Sequence, residues 1–328
     1  AYNALYINYE CNEREKMSRI LGINISHNVS FAYFENDVLK EYYEEERFNK
    51  IKNFYSPHPL LEDPYEYLVL KKFKDIVFDK VCIASFDRGD ILIDTGYVDN
   101  ILKQIKYKNI KFYHGYHHIM HVISGYYFSN FDEAICLISD GGGECLRLRN
   151  LISTSRAYQS IYYINNKTVK KFYQHFSNVR DDFFEIHKKI KKEIYLKEDG
   201  TDYKLSNHAV AGYKYLMYTE DAGFPVHSEG QLMGLAAYKD KGTDLDKNIL
   251  EIADKAQKET LEELIELVKK AQTYSDCKNI ILSGGYHLNC ANNFKLVKQF
   301  PKLNFFVDPI PYDGGTAVGA AYYYENYL

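Results

Sequence analysis

One pattern limits what this chain can fold into: a buried strand, a polar tight turn and a return strand, met twice. Ile20 to Ile25 (ILGINI) reads as the first buried strand, Ile25-Ser26-His27-Asn28 as its turn and Phe31 to Phe34 as the return. Short apolar runs bounded by turn residues carry that reading. Asn36-Asp37 makes a second turn and Val38 to Tyr43 a third strand. About 115 residues beyond the first turn, Ala134 to Ser139 (AICLIS) leads into Asp140-Gly141-Gly142-Gly143-Glu144 and continues through Cys145–Leu151 and Tyr158–Ile164. The repeat is one of pattern, not of residues. It predicts two similar lobes, each offering a turn to one cleft.

Between the meanders the spacing predicts a helix from Pro64 to about Val77, a strand over Lys80–Ala84 and a helix over Tyr97–Ile105. A strand over Ile110–Tyr113 and a helix over His117–Tyr127 come next. Later helices are expected at about 181–194, 207–220, 230–238 and 245–274. Strand Asn279–Leu282, Ser283-Gly284-Gly285, a helix to about Gln299, strand Asn304–Val307 and helix Gly314–Tyr324 close the chain. Strands alternating with helices argue an α/β fold. Residues 18–130 are read as the first lobe and 131–328 as the second, with the C-terminal helix returning toward the first. Residues 1–17 match no motif and are read as an extension of unknown role.

The 328 residues are 46% hydrophobic and 26% charged, a globular composition. No run approaches the ~18 apolar residues of a membrane helix, so no membrane partner is expected. Lys+Arg is 41 against Asp+Glu 45, a net charge of −4. That argues against binding nucleic acid by bulk attraction. Residues 167–197 still hold a run of lysines with Arg180, which reads either as a solvated helix face or as a nucleotide or DNA backbone contact. Glu44-Glu45-Glu46-Arg47 on its own reads as a solvated face. The six cysteines form no C-x-x-C pair and no secretory signal is visible at the start. Reduced core thiols in a cytoplasmic protein are the expectation.

His117, His118 and His121 form H-H-x-x-H on an expected helix. Four residues apart, His117 and His121 project from one face, the spacing at which one helix offers a metal two imidazoles. Two surface histidines are the alternative. Asp313, at a strand-to-helix junction before two glycines, is a candidate third ligand or a helix N-cap. Asp140-Gly141-Gly142-Gly143 can free backbone N–H groups to form an anion nest, and Ser283-Gly284-Gly285 precedes a helix N-terminus. A plain hairpin turn explains either cluster alone. The two clusters with the Ser26-His27-Asn28 turn argue a nucleotide cleft.

Seven blocks in order carry a resemblance: GINISHNVS (22–30), EEERFNKIK (44–52), HHIMH (117–121), ISDGGGE (138–144), EGQLMGLAAY (229–238), LSGGYHLNC (282–290) and PYDGGTAVGA (311–320). From about residue 20 to the C-terminus the chain resembles the O-carbamoyltransferase family of NodU and TobZ. The resemblance implies a two-lobed actin-like ATPase (ASKHA) fold with a nucleotide and metal cleft between the lobes. It implies iron, or another divalent metal, at His117, His121 and Asp313. It implies His27 and Lys52 in the transfer site. Asp140, Gly141, Gly142, Gly143, Gly284, Gly285 and Asn289 are implied to bind the nucleotide. Gln231 stands where a basic residue is usual in the family and Asn28 where Asp is usual.

The implied reaction moves a carbamoyl group from carbamoyl adenylate, made from carbamoyl phosphate and ATP, to an acceptor hydroxyl. His27 serves as general base, and Lys52 stabilises the oxyanion or orients the carbamate. The acceptor is a sugar or secondary-metabolite hydroxyl, or a hydroxymethyl pyrimidine of a nucleotide or DNA. Family members continue into a YrdC-like domain that makes the adenylate. Nothing here resembles it, so either a separate YrdC-like domain or chain is the expected partner, or the carbamoyl donor arrives differently. Two rival readings stand. One is tRNA threonylcarbamoyl transfer, whose family shows H-x-E-G-H at the helix site. The other is a metal- and nucleotide-binding regulatory subunit.

Overall fold

The structure is a computed structural model and describes residues 18–55, 65–85, 95–148, 151–177 and 193–327. The expected extension at 1–17 and most of the helix expected at 181–194 lie outside them. The first sheet contains β1 (Arg19–Asn24), β2 (Ser30–Glu35), β3 (Val38–Glu44), β4 (Val77–Ala84) and β5 (Lys106–Tyr113). Its order is β3-β2-β1-β4-β5. The β1–β2 and β2–β3 pairs are antiparallel, whereas β4 runs parallel to both β1 and β5.

The second sheet repeats this topology. It is built on β6 (Glu133–Ser139), β8 (Leu151–Asn165), β9 (Val169–Ser177), β12 (Asn279–Ser283) and β13 (Asn304–Val307), in the order β9-β8-β6-β12-β13. β6–β8 and β8–β9 are antiparallel; β12 runs parallel to β6 and β13. β10 (Ile194–Glu198) and β11 (Thr201–Ser206) extend it beyond β9, and β7 (Cys145–Leu148) pairs with β8. The twofold pattern of strand, tight turn and return strand therefore reflects two like-built halves.

The helix at the end of each half packs on the other half's sheet. α3 (His117–Ser129) comes after β5, yet Val122, Ile123 and Tyr126 bury against Ala134, Cys136, Ile138 and Ile281 of the second sheet. α8 (Thr316–Tyr327) comes after β13, yet Ala317, Val318 and Ala321 bury against Ile20, Ala32, Phe34, Cys82 and Ala84 of the first. The two helices also meet each other. A Cβ on Gly319 of α8 would stand 2.0 Å from the Met120 carbonyl oxygen of α3, so only glycine permits this close crossing. β1 is buried on both faces, as the middle strand of a covered sheet must be.

The other faces are covered by helices of their own half. α2 (Thr95–Lys103) lays Val98 and Ile101 against Leu21, Ile23 and Phe31. On the second sheet, α4 (Ala211–Asp221), α5 (Glu229–Ala236), α6 (Lys247–Ala271) and α7 (Cys290–Gln299) pack with Ile135, Leu137, Ile280 and Leu282. Among the described residues no helix is long and apolar enough to cross a membrane.

Three expectations are corrected. The described part of the helix expected over Pro64–Val77 contains only a 3-10 turn, Leu70–Phe73, and β4 begins at Val77. Its backbone donors are taken elsewhere. Leu68 N and Val69 N donate to the Glu45 carboxylate (2.8 and 3.0 Å), and Tyr67 N donates to Gln104 Oε1. For the same reason the acidic run is not a solvated face: Glu44 and Glu45 are buried. The basic stretch is not one helix either, since β9 and β10 occupy its described parts.

Candidate metal centre between the two sheets

Four side chains converge where the halves meet. The turn after β1 brings Ser26 and His27 to Asp313, and α1 (Glu46–Asn49) is tied to that turn by Asn28 Nδ2 donating to Glu46 Oε2. The first turns of α3 bring His117 and His121 together, with Nε2 atoms 3.2 Å apart. Asp140, directly after β6, places Oδ2 at 3.1 Å from His117 Nε2. Asp313, in the 3-10 turn that opens α8, places Oδ1 at 3.6 Å from His117 Nε2 and 3.9 Å from His121 Nε2. One ligand atom from each of the four lies within 4.8 Å of the others, and all four residues are buried.

The local folding explains the placement. Tyr116 is not helical, so α3 starts at His117 and its two histidines occupy successive turns. Gly284 is held at φ +95°, and a Cβ there would stand 2.4 Å from the Ser139 carbonyl oxygen. A glycine is needed for the turn after β12 to lie against the turn after β6. That contact lets Gly285 N–H donate to Asp140 Oδ1 at 2.9 Å, which orients the carboxylate. Ser26 Oγ stands 2.8 Å from Asp313 Oδ2 and 2.6 Å from Asn24 Oδ1, and its single proton serves one of them.

The electrostatics are those of a cation site. Burial opposes a charge on His117, but Asp313, Asp140 and Glu144 outweigh it and raise the imidazole to about 9. Burial and then the charge on His117 push His121 well below the ordinary histidine range. Burial would raise Asp140, yet the hydrogen bond from His117 and the neighbouring imidazoles hold it well below the usual carboxylate range. Two imidazoles and two carboxylates are a donor set suited to iron, manganese or zinc. Buried carboxylates in excess of the one imidazolium also call for a further positive charge. The residues therefore fit a divalent ion.

The other sequence-derived candidates fall at different distances from this centre. His27 lies at its rim: Nε2 is 3.3 Å from Asp313 Oδ2 and Nδ1 is 2.8 Å from Asn28 Oδ1. Lys52 is exposed, on a loop joined to the His27 turn by Val29 N–H donating to the Phe54 carbonyl (3.0 Å). No hydrogen bond or ion pair joins Lys52 to the four converging residues. Within the turn Asp140–Gly143, Asp140 N donates to Tyr158 O and Gly143 N to Ala157 O, so Gly141 and Gly142 carry its remaining nest donors. The Asn289 side chain caps α7 through Asn292 N and bonds Gln257.

The Asp140 carboxylate lies within the four-residue cluster, whereas the sequence reading placed Asp140 in a nucleotide turn. The signal for it was an acid immediately after a buried strand. His118 is not one of the four converging residues; its Nδ1 is 2.6 Å from Ser160 Oγ.

The family model described as carbamoyltransferase N-terminus matches residues 33–322. No curated protein sequence matches the chain. Among solved structures, full-length HypF in a phosphate- and nucleotide-bound form has a TM-score of 0.53 at 13% identity, covering 93% of this chain and 55% of its own. HypF of T. kodakarensis gives 0.52 at 12% identity, covering 95% and 48%. The chain thus spans about half the length of these HypF chains. A ROK family protein from Streptococcus pneumoniae TIGR4, in complex with sucrose, gives 0.51 at 12% identity, covering 94% and 98%. At these identities the likeness shows the fold, which is the two-lobed actin-like ATPase architecture.

Proposed function

The chain belongs to the carbamoyltransferase N-terminus family, and on that premise we propose that it transfers a carbamoyl group from carbamoyl adenylate to an acceptor hydroxyl beside the four-residue centre. The observation that carries this reading is the convergence of His117, His121, Asp140 and Asp313 within 4.8 Å at the junction of two like-built halves. We assign iron or another divalent ion to those four residues. When bound, such an ion polarises a carbonyl or acidifies a hydroxyl, contributing several kcal/mol.

The remaining chemistry belongs to the chain. The acceptor oxygen forms a bond to the carbamoyl carbon, the bond from that carbon to the phosphate oxygen breaks, and AMP leaves. The acceptor's proton goes to His27. His27 Nε2 stands 3.3 Å from Asp313 Oδ2, a contact that orients the ring beside the centre. General-base help of this kind is worth roughly 10²–10⁴-fold. Lys52, on the loop next to the His27 turn, steadies the carbamoyl oxygen. We assign AMP to the glycine turns at 141–143 and 284–285, with Gly141 and Gly142 offering the backbone N–H groups, since those of Gly143 and Gly285 already donate to Ala157 O and Asp140 Oδ1.

We assign the supply of carbamoyl adenylate to a YrdC-like domain. The acceptor is a sugar or secondary-metabolite hydroxyl, or a hydroxymethyl pyrimidine. Mass spectrometry of candidate acceptors after incubation with carbamoyl adenylate tests the proposal. A mass gain of one carbamoyl group, with matching AMP release, is expected. This chain given only ATP and carbamoyl phosphate should yield little product, and an added YrdC-like domain should restore it. No carbamoylation from preformed adenylate across sugar and hydroxymethyl-pyrimidine acceptors would overturn it.

A further inference from the structure

The turn between Asp140 and Glu144 has two carboxylates, and only the first faces the centre. The second, Glu144, is almost wholly buried, and its Oε2 accepts from the backbone N–H of His118 at 3.1 Å. That N–H belongs to the first turn of α3, where backbone donors have no partner within the helix. An acid there also meets the positive end of the helix dipole. Glu144 is itself held from β9: Gln174 Nε2 donates to Oε1, and Lys171 Nζ stands 3.8 Å from the same oxygen. Lys171 Nζ donates to Gln174 Oε1 at 2.6 Å, which locks the amide's orientation. The His118 ring adds a second tie, to Ser160 on β8.

We infer, on the reading of the four residues as a metal centre, that Glu144 is a positioning residue for that centre. It fixes the start of α3 against the second sheet, so that His117 and His121 reach Asp140 and Asp313 together. One five-residue turn then supplies a ligand at its first position and aligns the helix bearing two more through its last. The partners of the Glu144 carboxylate are His118 N–H, Gln174 and Lys171, so it acts through the His118 backbone, one residue from a ligand.

The experiment titrates Co²⁺, as a coloured probe ion, into the full chain and its variants. The wild-type chain should bind one Co²⁺ with visible ligand-field bands. Glu144→Ala should remain folded by circular dichroism, bind Co²⁺ about 10–100-fold more weakly, as loss of an orienting partner does, and show altered bands. Glu144→Gln combined with Gln174→Glu, which keeps an acceptor oxygen for His118 N–H and a donor–acceptor pair to β9, should recover affinity to within about threefold. If Glu144→Ala does not fold, Gln174→Leu, which removes the carboxylate's hydrogen bond to β9 but leaves it on α3, should show the altered bands. Wild-type affinity and bands in Glu144→Ala, or in Gln174→Leu where that variant stands in, would mean that Glu144 is only structural. A wild-type chain that takes up no Co²⁺ would instead remove the metal reading, and this inference with it.

Discussion

Nε2 of His117 lies 3.1 Å from Oδ2 of Asp140, where the helix after one sheet meets a turn of the other. The contact exists because each half lends its final helix to the opposite sheet. Without that exchange, α3 would cover β1 and β4, and its histidines would have no acid from β6 to meet. The four converging residues therefore mark the pseudo-symmetric midline of the molecule: two come from the start of α3, one from just before α8, and one from the turn after β6.

Removing one ligand should empty the centre. His121→Ala is expected to lose stoichiometric divalent metal, with affinity falling by more than the 10–100-fold that an outer hydrogen bond is worth. Asp140→Ala should do the same. Elemental analysis of purified chains measures this, and full metal retention in either variant would contradict the assignment.

Metal uptake should depend on pH with a defined sign. His117 is raised to about 9 in the metal-free chain, and a ligand imidazole must be neutral, so binding releases that proton. Apparent affinity should rise about tenfold per pH unit toward pH 9 and then level off. The same group links pH to stability. A histidine raised above its ordinary value contributes stability that is complete below about 6.5 and is lost as pH rises through about 9. Melting curves in a chelator should fall across that window, and curves with saturating metal should not.

Gly319 should tolerate no side chain. With a Cβ placed 2.0 Å from the Met120 carbonyl oxygen, Gly319→Ala must push α3 and α8 apart. A loss of about 1–3 kcal/mol is expected for such overpacking, read by denaturant unfolding. Metal affinity should drop as well, because α3 carries His117 and His121 and α8 begins just after Asp313.

His27 should separate chemistry from binding. His27→Ala is expected to keep its metal and lose roughly 10²–10⁴-fold in turnover, with kcat and kcat/KM falling together. Lys52→Ala should resemble it with a larger loss of donor binding. His27→Asn preserves a residue suited to the turn, so an active His27→Asn enzyme would reduce His27 to a turn former.

Much of this molecule is local information. Apolar runs bounded by polar turns mark β1, β2, β6 and β12, because a covered strand needs consecutive buried side chains. The four-residue spacing puts His117 and His121 on one face of α3 by helix geometry alone. The ordered blocks around them carry the family. Contacts between distant segments were not legible in the same way. The stretch 65–77 has helical spacing, but Glu45, from the end of the first meander, takes its backbone donors and leaves only a 3-10 turn. Glu44 and Glu45 look like surface charge until Tyr42, Tyr65 and the backbone of 68–69 enclose them. Lys52 shares a motif with these acids, yet the loop that carries it leaves its side chain in solvent. Asp140 could serve a nucleotide through its backbone or a metal through its carboxylate. Only the exchange of α3 and α8 between the sheets turned that carboxylate toward His117, since sheet order and helix exchange are set by the burial of whole faces and leave no mark on any one residue's neighbours in the chain.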